Sequence, residues 1–281
     1  MKRRKEKQRE ISETLPIITL TTDFGSKGPF VGSMKGVILE INPRVRIIDI
    51  SHEINAFDLL DAAFLISCAY HYFPAGTIHC IVVDPGVGSQ RRAILAVSKK
   101  YMFVAPDNGV LSYIFEKGEI DSVIHLKETE FFLEKVSQTF HGRDVFAPVS
   151  AWLTKGIDPM CMGPQIRDYV RLDLPKAKLS SDRRQIDGKV IHIDIFGNLL
   201  TNISHDLIRD CLKEKKAGFK VKVGGIFMEH LSIYNAYDDL EGGGVGAILG
   251  SQGYLELFAN QESLSEKWGV HKGAQVKLRI E

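Results

Sequence analysis

The sequence predicts an α/β N-terminal domain with a largely parallel sheet, followed by a smaller, β-barrel-like C-terminal domain. Three observations predict this. Up to about residue 175, apolar β-branched runs alternate with segments of helical spacing, the pattern of strands covered by helices on both faces. Beyond that point the apolar runs become short and are separated by turn residues, as in an antiparallel barrel. Between the two textures, residues 176–186 are polar and suit a linker, which gives domains over 16–175 and 187–281 after a basic tail at 1–15.

The first element is the strand Ile17–Thr22, a continuous apolar and threonine run ending at Asp23-Phe24-Gly25. Phe30, Met34, Val37, Ile38 and Ile41 then recur at helical spacing until Pro43 stops the helix. A strand over Val45–Ile50 and a helix over Phe57–Tyr72 follow, and then the apolar strand Thr77–Val83, which ends at Asp84-Pro85-Gly86. Ala93–Val97, Tyr101–Val104 and Asp121–His125 read as strands, with helices near Gly109–Phe115 and over Val145–Thr154. In open parallel sheets ligands sit beyond the carboxyl ends of strands. Asp23 and Asp84 both stand there.

In the second half, strands are expected at Lys189–Asp194, Leu199–Ile203, Phe219–Val223, Val245–Leu249, Tyr254–Phe258 and Gln275–Ile280. Gly224-Gly225 and the cluster Glu241-Gly242-Gly243-Gly244 supply turns, and only Glu262–Trp268 reads as a helix.

Charge excludes little but is informative. Lys and Arg number 36 against 35 Asp and Glu, so no nucleic-acid partner is expected of the folded part. The exception is the tail, where Lys2, Arg3, Arg4, Lys5, Lys7 and Arg9 crowd together; it reads as a solvated, disordered terminus. It lacks the apolar stretch of a secretory signal, and no run is long enough to cross a bilayer. Cys68, Cys80, Cys161 and Cys211 form no CxxC pair, which suits free thiols in a cytoplasmic protein.

Several residues could carry chemistry. Asp23, at a strand end beside a glycine, could bind a ribose diol or serve as a turn or N-cap carboxylate. Asp84 opens the sharp loop Asp84-Pro85-Gly86-Val87-Gly88, where Arg91 or Arg92 could pair with it, for structure or for holding a water. The loop lacks the spacing of a phosphate-binding motif. His141, beside Gly142 and just before a helix, could be an acid or base, or a hydrogen-bonded structural residue. His52 raises a metal site with Asp84, His141 and Asp144, but no spaced ligand motif supports it and no metal is expected. Asp194 and Asn198 flank a Phe-Gly turn; the Asn198 amide could read an adenine edge. The alternating run Gly250–Leu257 could line a cleft.

Taken in order, Thr22-Asp23-Phe24-Gly25, Asp84-Pro85-Gly86-Val87-Gly88 with Arg91, Ala105-Pro106-Asp107-Asn108-Gly109, Phe140-His141-Gly142-Arg143-Asp144, Asp194-Ile195-Phe196-Gly197-Asn198 and Gly250-Ser251-Gln252-Gly253-Tyr254-Leu255-Glu256 are specific. The chain resembles the adenosine-forming S-adenosylmethionine hydrolases, or hydroxide adenosyltransferases, from Ile17 to Ile280. The resemblance implies a homotrimer whose active sites join the N-terminal domain of one subunit to the C-terminal domain of its neighbour. It implies attack of water or hydroxide on ribose C5′ of S-adenosylmethionine, with the catalytic triad on Asp84, Arg91 and His141 and no cofactor. It also implies Asp23 at the ribose, Asn198 and the Ala259 backbone towards adenine, and Asp194, Ser251 and Glu256 helping to hold the ligand. The related halogenases share fold and substrate but lack the triad, which points away from a halide nucleophile. A non-catalytic sensor of the same ligand would need no water-activating group. Gln252 departs from the pattern at the methionine end.

Overall fold

The computed structural model describes residues 15–212, 219–240 and 244–280, so all the lysines and arginines of the basic tail lie outside the described residues, as does Glu241-Gly242-Gly243. The chain forms two compact units that meet in sequence at Leu172 and Asp173. Among the described residues, no helix is long and apolar enough to cross a membrane.

The N-terminal unit runs β1 (Ile17–Thr22), α1 (Phe30–Ile41), β2 (Arg46–Ser51), α2 (Leu59–Ala69), β3 (Ile78–Val82), β4 (Ala93–Ser98), β5 (Met102–Pro106), α3 (Ser112–Glu116), β6 (Ile120–His125), α4 (Ala147–Thr154) and β7 (Gln165–Ile166). The sheet order is β2-β1-β3-β5-β4-β6-β7. The pairs β1·β2, β1·β3 and β3·β5 are parallel, and β4, β6 and β7 are added antiparallel. The α/β reading therefore holds. Its apolar strands are continuous because both faces are covered: Cys80 and Val82 enter one core with Met34 and Ile38 of α1, while Ile81 and Val83 enter the other with Ala62 and Ile66 of α2.

This order positions the site. From β1 the chain goes to β2 on one side, and β3 then joins β1 on the other. Such a reversal opens a crevice at the carboxyl ends of the two central strands. The register pairs Thr22 with Val82, so Asp23 and Asp84 emerge side by side just beyond.

The C-terminal unit contains β8 (Lys178–Leu179), β9 (Gln185–Ile193), β10 (Leu199–Ser204), α5 (His205–Leu212), β11 (Phe219–Val223), β12 (Ile226–Leu231), β13 (Ile233–Tyr234), β14 (Val245–Leu249), β15 (Tyr254–Ala259), α6 (Leu264–Trp268) and β16 (Gln275–Ile280). Its sheet runs β12-β11-β16-β9-β10-β15-β14-β13, with β8 on β9. Every pairing is antiparallel except β13 with β14, and β12 curls round to approach β14, so the sheet is nearly closed and barrel-like. Leu199, Val221, Leu255, Leu257, Val276 and Leu278 fill its core.

Several elements differ from expectation, among them the short edge strand β7. β8 and the start of β9 occupy the stretch read as a linker; the alternation there is real, with Ile186 and Val190 buried, but Gly188 masks it. A Cβ on Gly188 would lie 2.6 Å from Ile203 and 2.7 Å from Asn202 Oδ1, so the inward position has no room for a side chain. α5 buries Ile208 and Cys211 at helical spacing among charged neighbours, and the β12–β13 pair has broken alternation. Neither was predicted.

Candidate active site

Of the candidate side chains of the N-terminal unit, Asp23 and Asp84 follow the carboxyl ends of β1 and β3, Arg91 lies just before β4, and His141 lies just before the helical turn that leads into α4. Arg91 reaches back across its loop to Asp84, its Nε donating to Oδ1 at 2.8 Å and Oδ2 at 3.0 Å while Nη2 also donates to Oδ2. The same Nη2 donates to His141 Nδ1 at 2.8 Å. The three residues are thus one hydrogen-bonded chain. It is well buried, with side-chain exposure of 5% for Asp84 and 10% for Arg91, and the guanidinium lies 5.2 Å from the centre of the Phe146 ring. Of the two arginines considered, Arg91 is the partner; Arg92 turns instead to Asp107 and Asp168.

The surroundings of His141 favour its neutral form. Burial lowers its pKa and the adjacent Arg91 charge lowers it further, against opposing effects of Asp84, Asp144 and a Ser137 backbone bond. With Nδ1 accepting from Arg91, the ring proton is assigned to Nε2. The histidine is held at the start of a π-helical turn, Gly142–Phe146, that leads into α4. Asp144, fully buried, pins that turn by accepting from the Ser137 amide at 2.8 Å and from Arg143 at 2.6 Å.

One glycine joins the two loops. Gly88 has φ +77, and a Cβ there would stand 2.4 Å from the carbonyl oxygen of Gln138. The loop bearing Arg91 can lie against the loop bearing His141 only because this position has no side chain.

Asp23 lies beside this chain. Its Oδ2 accepts the Phe57 amide at 3.0 Å, and among the described residues its Oδ1 has no partner. Phe57 itself has φ +68, rare for a bulky residue, and is 69% exposed.

The remaining candidates lie in the C-terminal unit. Asp194 Oδ1 accepts from the amides of Phe196 and Asn198, both at 2.9 Å, and Oδ2 accepts from Asn198 Nδ2 at 2.9 Å. Asp194 therefore orients the Asn198 amide, and Gly197, at φ +82 against Ser263, closes the turn. Asp194, Asn198 and Ala259 line one cleft of about 520 Å³ with Phe196, Tyr237 and Phe258. Its aromatic and amide lining suits a flat heterocycle. Glu256 is buried behind it and accepts from Tyr237 Oη at 2.6 Å. Burial raises the Glu256 pKa and Asp194 adds to this, against the Tyr237 bond. Ser251 does not line the cleft; it lies exposed in the β14–β15 turn, which the Gly253 amide closes on the Gly250 carbonyl.

The chain matches the model of the SAM hydroxide adenosyltransferase N-terminal domain over residues 18–163 and that of the C-terminal domain over residues 188–277. It belongs to this family. It is 42% identical over 201 residues to the (R)-S-adenosyl-L-methionine hydrolase of Methanocaldococcus jannaschii, covering 69% of each chain. To the enzyme of the same name from Thermus thermophilus it is 32% identical over 271 residues, covering 92% of this chain and 97% of that one. Among solved structures, an uncharacterized conserved protein from Thermotoga maritima superposes with a TM-score of 0.88 at 34% identity, covering 93% of this chain and 99% of that one.

In this member of the adenosyltransferase family, sequence reasoning missed Phe57 and Tyr237. Phe57 contributes a backbone amide and a left-handed turn, and neither has a side-chain signature. Tyr237 stands in a three-residue 3-10 turn after β13, away from any strand periodicity. His52 is not drawn into a metal cluster: among the described residues no group of three or more His, Cys, Asp or Glu could hold a metal ion.

Proposed function

We propose that this protein hydrolyses S-adenosyl-L-methionine to adenosine and L-methionine, without a metal or cofactor, by attack of water or hydroxide on ribose C5′. The (R)-sulfonium epimer is the proposed substrate, since the curated relatives are named for it. The observation that carries the reading is the single chain Asp84–Arg91–His141 at the sheet's switch point.

The oxygen lone pair forms the new bond to C5′ as the C5′–S bond breaks, and that electron pair stays on sulfur. The leaving group is a neutral thioether, so it needs no general acid. What the site must supply is an oriented water, a positive charge favouring hydroxide and an acceptor for one proton. Asp84 keeps lone pairs beyond those facing Arg91, Arg91 supplies the charge, and Asp84 or the neutral His141 receives the proton. Asp23 holds the ribose, and the cleft of Asp194, Asn198 and Ala259 takes adenine, with Glu256 and Ser251 also helping to hold the ligand.

The working form in this reading is a cytoplasmic homotrimer, with each site built from the N-terminal unit of one copy and the C-terminal unit of the next. Ile195 and Phe196, 93% and 70% exposed at the tip of the turn bearing Asp194 and Asn198, support an apolar contact there. The described cysteines are all free, which accords with a reducing compartment.

The test incubates purified protein with each sulfonium epimer in EDTA and labelled water. Adenosine carrying the label at its 5′-hydroxyl is expected; no adenosine above the enzyme-free control overturns the reading. A 5′-halogenated nucleoside in added halide would make it a halogenase, and tight binding without product a sensor. Gly88→Ala is expected to cut kcat by about a hundredfold while the protein remains folded, because the clash with Gln138 must push Arg91 away from His141. Unchanged turnover in that variant would mean the contact between the loops is incidental.

A further inference from the structure

His52 is the one histidine that the sequence singled out and the proposed mechanism leaves unused, and its contacts are unusual in where they converge. Its Nδ1 lies 2.8 Å from Thr22 Oγ1, and its Nε2 lies 3.1 Å from Asp49 Oδ1. Lys35 Nζ from α1 donates to the other oxygen of Asp49 at 2.6 Å. Thr22 Oγ1 in turn accepts the Phe24 amide at 3.3 Å, and the His52 carbonyl accepts the Gly25 amide at 2.8 Å.

The Phe24 amide donates to Thr22, the Thr22 hydroxyl to His52 Nδ1, and Lys35 to Asp49 from the far side. His52 Nε2 faces Asp49 Oδ1 at 3.1 Å, within ion-pair range but without the alignment of a hydrogen bond, so charge and proximity link these two side chains. Burial works to raise the Asp49 pKa, but the Lys35 bond and the closeness of His52 outweigh it and leave it lowered. The far end of the chain is thus anchored by charge, and the near end is buried, with Thr22 fully inaccessible and the His52 side chain 11% exposed.

The three points held are Thr22, Phe24 and Gly25, the residues on either side of Asp23. Asp23 itself is tied to the rest of the unit through the Phe57 amide alone among its described hydrogen bonds. Nothing else in the described structure fixes the direction of its Oδ1. We propose that His52, anchored by Asp49 and Lys35, is a positioning residue that aims the Asp23 carboxylate at the ribose hydroxyls of the bound nucleoside. This rests on the reading of Asp23 as the ribose ligand. Aiming matters because a carboxylate accepting two hydroxyls is selective only when its plane and distance are set in advance.

Ribose discrimination tests this better than turnover does, since loss of a merely structural histidine would weaken all ligands alike. Binding of adenosine and of 2′,3′-dideoxyadenosine is measured by calorimetry on the full chain. The wild type is expected to prefer adenosine by roughly tenfold to a hundredfold, the range for hydrogen bonds to a charged group. His52→Ala should remove most of that preference by weakening adenosine, leaving dideoxyadenosine within about twofold of its wild-type value. His52→Asn, whose amide oxygen can take the place of Nδ1 towards Thr22, should recover part of the preference. Asp49→Asn, which loses only the anchoring charge, should give an intermediate loss. In an Asp23→Ala background, His52→Ala should have no further effect on the ratio.

A folded His52→Ala protein with the full wild-type preference overturns the proposal. Should that variant not fold, full preference in both His52→Asn and Asp49→Asn overturns it equally. Wild-type protein that discriminates ribose but releases no adenosine from S-adenosylmethionine sinks the hydrolase reading and leaves the positioning role standing. Wild-type protein that turns over substrate but shows no ribose preference does the reverse.

Discussion

Arg91→Met should lower stability by about 3–5 kcal/mol and slow turnover by roughly a hundredfold to a thousandfold, whereas Arg91→Met combined with Asp84→Asn should recover most of the stability and none of the turnover. The single change leaves a carboxylate that is 5% exposed without the cation that makes three contacts to it. Breaking a buried pair from one side leaves an uncompensated charge, which costs far more than the pair contributes as a unit. Replacing both partners with neutral groups of similar size removes the cause of the instability. It does not restore a positive charge beside the attacking oxygen, and loss of one such group typically slows the chemical step by roughly a hundredfold to a thousandfold. Urea denaturation and adenosine release, measured on the same three proteins, separate the two effects. If the double variant stays as unstable as the single one, Asp84 is not the orphaned charge. If it regains activity, the triad is a structural ion pair and the chemistry lies elsewhere.

How much of this was legible before the structure depends on what each residue signals with. β1 and β3 were readable because burial on both faces leaves an unbroken apolar run, and a carboxylate that ends such a run stands out. Asp23 and Asp84 were found in this way, His141 by its place beside Gly142 just before a helix, and the choice of Arg91 over Arg92 needed the loop's fold. Asp194, Asn198 and Ala259 come together on one cleft, but Ser251 stays outside it, because a turn of glycines either side of Ser-Gln gives no direction to its side chain. Most of what escaped works through the backbone or through absence. Phe57 acts with its amide, and Gly188 hides the alternation of β9 by leaving an inward position empty, while Gly88 was legible as part of a sharp loop but not as the contact between two loops. The role of His52 escaped for another reason: its partners come from α1, β1 and β2, and no spacing within one segment reports them.

The second large effect is on acid stability, and it resides in the N-terminal core. His79 pairs across the sheet with Thr19, is fully buried, and has its Nδ1 2.8 Å from Thr19 Oγ1. Its ring stacks on Phe103 at 5.2 Å, with Tyr70, Phe73 and Tyr101 packed around it, and its Nε2 finds no partner among the described residues. A charged imidazole cannot be solvated there, so burial pushes the His79 pKa down from 6.5 to about 3. The folded pKa lies below the unfolded one, so the unfolded chain binds the extra proton. Stability is therefore unaffected above pH 6.5 and falls as the pH drops towards about 3, by roughly 1.4 kcal/mol per pH unit from this residue. His79→Leu with Thr19→Val removes both polar atoms together and orphans neither. The variant's stability relative to wild type should rise steadily as denaturation is repeated from pH 7 down to pH 4, whatever its offset at neutral pH. His141 and the carboxylates titrate in both proteins and cancel in the difference. A difference that stays flat across that range would mean the folded core accommodates the imidazolium, and that His79 is protonated as readily inside the protein as outside it.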